Sequence, residues 1–219
     1  MVSGSLQERE NFRSKSFRSD DDWDPEWIEY VFSASAKCSN TKCKQDYVIS
    51  GTGGVGPSFD DEYGQTLEDY FAPKACFPMP QIIQIPTKCP SDVTTDLIEA
   101  FALFWAHRGS SANAIRSALE KLMTHQGIPE EIPTTKDPSK MAQLNLHQRI
   151  ELYAKNEPVV GPQLMALKWL GNTGSHGSKV NVEDLLDAFE ILEYALEEII
   201  ESKSKKVAQL AAELTKKHS

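Results

Sequence analysis

The stretch PQLMALKWLGNTGSHGSKVNVEDLLDAFEILEYALEEIIE, residues 162–201, decides the fold of the C-terminal half. Its second part repeats an apolar residue every three or four positions, which is the spacing of one face of an α-helix. The residues of this stripe are Leu185, Phe189, Leu192, Leu196 and Ile199. Asn181, with Asp184 three positions later, resembles a capping box at the start of that helix. We expect the apolar face to pack against other helices.

A glycine-rich turn is predicted between this helix and a shorter one that ends at Gly171. The turn carries Asn172 and His176, so His176 lies near a helix N-terminus, where backbone N–H groups favour an anion such as phosphate. An imidazole can transfer protons near neutral pH, while Lys168 or Arg149 neutralises the phosphate. Both turn residues also have structural explanations. Asn172 tolerates left-handed geometry, and His176 can hydrogen-bond to the turn.

Helical periodicity begins at Ser91 and continues through the rest of the C-terminal half. The sequence predicts a bundle of about five helices over residues 91–202. Their predicted limits are a helix from Ser91 towards Gly109, one from Ser110 or Ser111 towards Gly127, one that carries Leu146, Ile150 and Tyr153, one that begins near Pro162, and the final helix after Asn181. No internal repeat is present, so a bundle is favoured over a solenoid.

The N-terminal half has a different sequence pattern, in which many glycines and prolines separate short β-like runs. DYVIS at 46–50 and QIIQI at 81–85 are two such runs. We therefore predict a small, irregular β-rich unit over residues 25–90, preceded by a mobile arm at 1–24. Residues 203–219 form a Lys-rich tail that either extends the last helix as a basic handle for RNA or stays solvated. The predicted fold class is α+β.

Charge and hydropathy exclude several classes of protein. A net charge of −9 argues against broad electrostatic wrapping of nucleic acid and leaves room only for a local site. No apolar run is long enough for a membrane span, and the polar N-terminus lacks the apolar core of a signal peptide. We expect a cytoplasmic protein that does not associate with membranes.

All four cysteines lie in the N-terminal half, at Cys38, Cys43, Cys76 and Cys89. Four thiolates suffice for a structural zinc site, and Cys38 with Cys43 resembles a metal knuckle. If zinc is bound, Cys76 or Cys89 completes the set. The alternatives are buried reduced thiols and, least in keeping with a cytoplasmic protein, disulfides.

Several polar residues of the helical half are candidates for contacts with nucleic acid. Arg116 and Glu120 are four residues apart on one helix face, which is also the spacing of an ordinary surface ion pair. His147 and Arg149 lie beside the apolar Leu146 and Ile150. A histidine in that position is also compatible with a purely structural role.

The segment KWLGNTGSH, Lys168 to His176, followed by an acidic helix, resembles the signature of a bacterial family known as domain of unknown function 4145. Other segments match in order: FPxPxIIxIPxxCP at 77–90, ANAIRSALEKLM at 112–123 and LHQRI at 146–150. The resemblance covers roughly residues 38–200. That family is similar to the HEPN group of helical domains (higher eukaryotes and prokaryotes nucleotide-binding), many of which are metal-independent RNases of toxin and antiviral defence systems.

The resemblance implies an RNA-directed protein of bacterial defence. His176, Lys168 and Asn172 are then the catalytic candidates, with Arg116, Arg149 and His147 as contacts to nucleic acid and no metal required for the chemistry. A 2′-hydroxyl attacks the adjacent phosphate, His176 assists proton transfer, and Lys168 or Arg116 stabilises the charge. It also implies a homodimer. The alternative is a non-catalytic module that dimerises or binds another protein of a defence system.

Overall fold

The structure, a computed structural model, describes residues 4–41, 43–135, 137–175 and 180–218, with the backbone alone for 171–175 and 218. The chain divides into two compact units, Met1–Pro80 and Gln81–Ser219. The first contains a β-sheet and the second is mainly helical. This arrangement confirms the predicted α+β class.

The first unit is a four-stranded antiparallel sheet with its strands in chain order. The strands are β1 (Gln7–Glu10), β2 (Glu29–Lys37), β3 (Asp46–Asp60) and β4 (Gly64–Phe77). A short helix, α1 (Phe12–Ser16), and 3₁₀ turns at Phe17–Ser19 and Pro25–Trp27 connect β1 to β2. Segment 1–24, for which the sequence predicted an arm, thus contributes the first strand of the sheet.

The glycine-rich segment after residue 50 lies inside β3, whereas the sequence indicated a turn there. Gly53 has no side chain because a Cβ at this position would collide with the Tyr70 carbonyl and the Phe71 ring on β4. The Phe71 ring covers this surface and packs against Phe32, with ring centroids 5.1 Å apart. Aromatic residues on one strand that cover glycines on the next allow a strand to continue through such a sequence.

The QIIQI segment at 81–85 is not a strand, so that prediction is wrong. Ile83 is buried, and the Gln84 N–H donates to the Glu193 carboxylate at 2.6 Å. Prolines at 80 and 86 flank the segment and cannot donate to a sheet ladder. The apolar residues of segment 81–85 therefore contribute to the helical unit, and the segment does not pair with a strand.

The second unit contains the predicted five helices, a small hairpin and one further helix. They are α2 (Ser91–Ala106), α3 (Arg108–His125), α4 (Leu146–Ala154), α5 (Gly161–Ser175), α6 (Val182–Leu196) and α7 (Lys203–His218), with a hairpin of β5 (Glu131–Pro133) and β6 (Met141–Gln143) between α3 and α4. A π-helical turn at Glu197–Glu201 ends α6.

Four of the five predicted stripe residues are buried on α6, whereas Ile199 is half-buried and lies in the π-helical turn after it. Leu185, Phe189, Leu192 and Leu196 are each almost inaccessible to solvent. The Phe189 ring lies 5.5 Å from that of Phe101 on α2. Full burial of a Leu or Phe side chain contributes about 1.5–3 kcal/mol each. The stripe therefore explains why α2, α3, α5 and α6 assemble around one core.

The last helix, α7, follows a sharp change of direction at Ser202, whose φ of 52° is left-handed. Its described side chains are exposed along the whole helix, including an apolar row at Val207, Leu210 and Leu214. An isolated helix of 16 residues is marginal in water. The row therefore lacks, within the described chain, the packing that stabilises the other helices.

No helix in the described ranges combines the length and the apolarity that crossing a bilayer requires.

Candidate nucleic-acid interface

The helix that carries most of the KWLGNTGSH segment, referred to below as the recognised segment, is longer than the sequence predicted. α5 runs through Gly171 and Asn172 to Ser175, so the expected end at Gly171 is wrong. A glycine inside a helix costs about 1 kcal/mol relative to alanine. Burial of Leu164 and Leu167 on the same helix contributes more than that. The backbone of Asn172 is therefore helical, while His176 and the Asn172 side chain lie outside the described residues.

The helix after this segment begins as predicted. The Asn181 side chain accepts a hydrogen bond from the Asp184 N–H at 2.6 Å, which caps α6. Glu183 and Asp184 in its first turn are favourable next to the positive end of the helix dipole. They also place negative charge at the helix N-terminus for which the sequence predicted a phosphate.

Lys168 lies against an exposed tryptophan on α5. Its Nζ is 3.7 Å from the centroid of the Trp169 ring, a cation–π contact. Lys168 as a whole is only 9% exposed, whereas Trp169 is 57% exposed. The aliphatic part of Lys168 is therefore covered, and the adjacent indole presents its remaining surface to solvent.

His147, from the first turn of α4, lies beside the same tryptophan. The His147 and Trp169 rings meet edge to face with centroids 6.3 Å apart. The His147 Nδ1 is 3.0 Å from the Met165 Sδ, and its Nε2 is 3.6 Å from a Glu151 carboxylate oxygen. These contacts fix the ring. We call His147, Lys168 and Trp169 the Trp169 platform.

Asn145 fixes the start of α4 and hence the position of His147. Its side chain accepts from the Gln148 N–H, and the Gln148 side chain accepts from the Asn145 N–H, both at 3.0 Å. This reciprocal pair is a complete capping box. The sequence alone indicated the helix, and the cap defines its first residue.

Arg149 points away from solvent and is 4% exposed. Its Nη1 donates to the Glu120 carbonyl at 3.0 Å, and its Nη2 donates to the Thr124 hydroxyl at 2.7 Å and the Ile128 carbonyl at 2.9 Å. Its Nε is buried without a hydrogen-bond partner. Arg149 thus ties α4 to the C-terminal end of α3.

Arg116 and Glu120 form the ion pair that their spacing predicted, with Nε and Oε1 3.3 Å apart. Both side chains are partly exposed and line a cleft of about 360 Å³ together with Arg149. The other walls come from α3, β5–β6 and the start of α4: Ser117, Lys121, Thr124, Glu130, Gln143, Leu144, Asn145 and Leu146. We call this the α3–α4 cleft.

The predicted site residues therefore fall into two clusters. His147 and Lys168 meet at the Trp169 platform, whereas Arg116 and Arg149 line the α3–α4 cleft. Sequence reasoning missed Trp169, although an indole directly after Lys168 in the recognised segment was a visible signal. It also missed Lys121, whose ammonium pairs with the buried Asp96 carboxylate at 2.6 Å.

A polar network joins α2 to α3 beside the cleft. The Asp96 carboxylate also accepts from the Ser117 hydroxyl at 2.6 Å. One turn earlier, the Asp92 carboxylate is 2.8 Å from the His125 Nε2, and this hydrogen bond lowers the pKa of Asp92. The network fixes the orientation of the α3 face that lines the cleft.

The cysteines are free thiols. Burial raises the pKa of Tyr47, and the neighbouring thiols of Cys43, Cys38 and Cys76 raise it further, so these three lie around one phenol. Cys89 belongs to the second unit. Among the described residues, no three His, Cys, Asp or Glu side chains come close enough to hold a metal ion. The geometry gives the zinc hypothesis no support, and structural zinc stays a prediction.

Iodoacetamide is expected to modify Cys43 first, because its side chain is exposed. Cys76 and Cys89 should react last, because burial raises the pKa of both thiols and lowers their thiolate fraction. Raising the pH from about 8 to about 9 should bring the reaction rates of Cys76 and Cys89 closer to that of Cys43, because the buried thiols gain thiolate. Peptide mass spectrometry gives the order, and urea-denatured protein is the control. Joint protection of Cys38 and Cys43 would overturn this order and support zinc.

Two family models match the chain. One, described as Domain of unknown function (DUF4145), matches residues 98–217, and another, described as Domain of unknown function (DUF8608), matches residues 1–76. No curated protein and no solved structure matches the chain significantly.

Proposed function

Because the chain belongs to the family of the domain of unknown function DUF4145, we propose that it is a cytoplasmic, HEPN-like protein of bacterial defence that binds single-stranded RNA. The Trp169 platform is the proposed contact surface. The observation that carries this proposal is an exposed indole held between a lysine ammonium and an imidazole, on the helix that leads to His176.

Base stacking is the interaction that this surface offers. An exposed aromatic ring accepts any nucleobase, and each stacked base contributes about 1–3 kcal/mol. Lys168 adds a positive charge for the phosphate next to that base. His147 limits the movement of the indole, so little ordering is required on binding.

The overall charge restricts how RNA can bind. At a net charge of −9, long-range attraction of a polyanion is absent, and the affinity has to come from a few short-range contacts. We therefore propose a short single-stranded segment as the ligand, because paired bases would not be free to stack on Trp169.

Cleavage is the proposed reaction at the end of this helix. A ribose 2′-hydroxyl attacks the adjacent phosphorus, the bond to the 5′-oxygen breaks, and the products are a 2′,3′-cyclic phosphate and a 5′-hydroxyl. His176 takes the proton from the 2′-hydroxyl or gives one to the leaving oxygen. Lys168 supplies positive charge to the phosphate oxygens.

Replacing Trp169 with alanine is expected to weaken RNA binding about five- to a hundredfold, because one stacked base is lost. Fluorescence anisotropy with a labelled RNA of about 12 nucleotides measures the change. Trp169→Phe should retain most of the affinity. Trp27→Ala is the matched control, since Trp27 is also exposed but lies in the first unit.

Two outcomes would reject the proposal that the Trp169 platform binds RNA. One is equal loss of RNA affinity in Trp169→Ala and Trp27→Ala. The other is binding by the wild type that does not weaken as salt is raised, because phosphate contacts release counterions and depend on salt.

A second candidate function, dimerisation, is favoured by the exposed apolar row of α7. The row Val207, Leu210 and Leu214 has the three- and four-residue spacing of one helix face. Around it α7 carries lysines and a single acidic residue, Glu213. The face is therefore basic and apolar.

We propose that α7 packs on α6 of a second copy of the chain. Leu186, Glu190 and Tyr194 recur every fourth residue on α6 and are exposed. α6 contains no Lys or Arg, and Glu183, Asp184 and Asp187 add to its negative charge. The two faces are complementary in charge and both partly apolar, and a two-fold dimer would form the contact twice.

A further inference from the structure

Arg149 is a buried cation without a counter-ion among the described residues. Its acceptors among the described residues are two carbonyls and one hydroxyl, all neutral, and no described carboxylate forms an ion pair with it. Its Nε is buried and has no acceptor among the described residues. A buried charge is normally paired, because leaving it unpaired forfeits hydration without compensation.

The carbonyls of Glu120 in α3 and of Ile128 just after it compensate for part of this charge. Arg149 therefore holds the C-terminal part of α3 to α4, which is a structural role. Only three of its five N–H donors have acceptors among the described residues, so its charge is not fully compensated there.

The α3–α4 cleft is the adjacent cavity from which a further acceptor would have to come, since Arg149 is almost fully buried. Arg149 lines this cleft together with Arg116 and Lys121. The first turn of α4, at Asn145 and Leu146, lies at the same wall, and a helix N-terminus also favours an anion. Thr124 and Ser117 add hydroxyl groups.

Other lining residues determine what kind of anion fits. Glu120 and Glu130 contribute negative charge, so a dense polyanion is disfavoured, but their oxygens and that of Gln143 can accept hydrogen bonds from hydroxyl groups. Among the described lining residues only Leu144 and Leu146 are apolar and none is aromatic, so these residues offer no surface for stacking a base. Its 360 Å³ is within the range of sites for small molecules.

We propose that the α3–α4 cleft binds a small phosphate monoester of a polyhydroxylated compound. Arg149 and Arg116 bind the phosphate, and Glu120, Glu130 and Gln143 accept from the hydroxyl groups. This site is separate from the Trp169 platform, so Arg116 and Arg149 serve a small ligand and His147 and Lys168 serve RNA.

Isothermal titration calorimetry of the full chain with glucose 6-phosphate, inorganic phosphate and glucose tests the proposal. Saturable binding is expected for the first two, tighter for the ester, and none for glucose. Arg116→Gln should weaken binding about tenfold, the effect of losing one charge-assisted hydrogen bond. Arg108→Gln is the matched control, because Arg108 is exposed on the same helix but does not line the cleft.

Arg149→Met gives a second test, since methionine keeps much of the volume without the charge. A folded Arg149→Met protein should lose phosphate binding, and if this variant does not fold the Arg116→Gln comparison decides. The proposal is overturned if no saturable binding occurs at matched ionic strength, or if Arg108→Gln weakens binding as much as Arg116→Gln does. It is also overturned if sulfate and the ester bind with the same affinity, because the cleft then takes an adventitious ion only. The RNA affinity of Arg116→Gln should equal that of the wild type. Failure of the cleft proposal is therefore distinguishable from failure of the proposal that RNA binds the Trp169 platform.

Discussion

Replacing His176 with alanine is expected to lower the rate of RNA cleavage by about a hundredfold or more, the usual contribution of a general acid or base. The reason is chemical. Attack by a 2′-hydroxyl requires removal of its proton, and departure of the 5′-oxygen requires delivery of one, and an imidazole can do either near neutral pH. Binding should persist, because the Trp169 platform is unchanged.

Cleavage of an end-labelled single-stranded RNA, with and without EDTA, measures this effect. His107→Ala is the matched control, since His107 is an exposed histidine that segment 168–176 does not include. Lys168→Ala should weaken RNA binding and flatten its dependence on salt, because one phosphate contact is lost.

The catalytic proposal is abandoned if the wild type leaves RNA intact with and without divalent metal, or if His176→Ala unfolds the protein. In the first case the Trp169→Ala comparison still decides whether RNA binds. The two experiments therefore separate a nuclease from a protein that only holds RNA.

Removal of residues 203–219 is expected to convert a homodimer into a monomer. Light scattering on the full chain should return twice the 24.4 kDa chain mass at micromolar concentration, and the shortened protein should return its own mass. The physical reason is that α7 carries an exposed apolar row, with Leu210 60% exposed, that no described part of the chain covers.

Charge reversal tests the partner face directly. Lys203→Glu with Lys206→Glu should separate the dimer, and so should Asp187→Lys with Glu190→Lys on α6. Combining all four changes should restore association, because the complementarity is then inverted on both faces. Lys155→Glu, a reversal of one charge outside both helices, is the control. A wild-type mass of 24.4 kDa would rule out the dimer.

The helical half follows from local patterns, and the sequence therefore predicts it well. The stripe of Leu185, Phe189, Leu192 and Leu196 is buried in one core, and Asn181 caps its helix as expected. Periodicity and capping depend on residues three or four positions apart, so a single sequence contains all the information needed.

The strands and one helix end depend on residues distant in sequence, and there the predictions fail. Whether Gly53 belongs to a strand or a turn is decided by Phe71 on the neighbouring strand. Whether Gly171 ends a helix depends on how much the rest of α5 gains from burial. Local propensity gives the wrong answer at both positions because tertiary packing contributes more.

The candidate site shows the same difference between contacts that are local in sequence and contacts between distant residues. The pair Arg116–Glu120 follows from spacing on one helix. By contrast, Arg149 binds the carbonyls of Glu120 in α3 and of Ile128 after it, both more than twenty residues earlier, and His147 meets Trp169 across two helices. Nothing in the local sequence distinguishes an arginine that caps a distant helix from one that faces RNA.

The left-handed residue at the end of the π-helical turn has an evolutionary consequence. With φ at 52°, position 202 suits glycine, asparagine or a small polar residue and disfavours valine or isoleucine. Alanine or leucine in this left-handed conformation would cost roughly 1–2 kcal/mol. Substitution at this one position therefore shifts the balance from a turn between α6 and α7 towards a continuous helix.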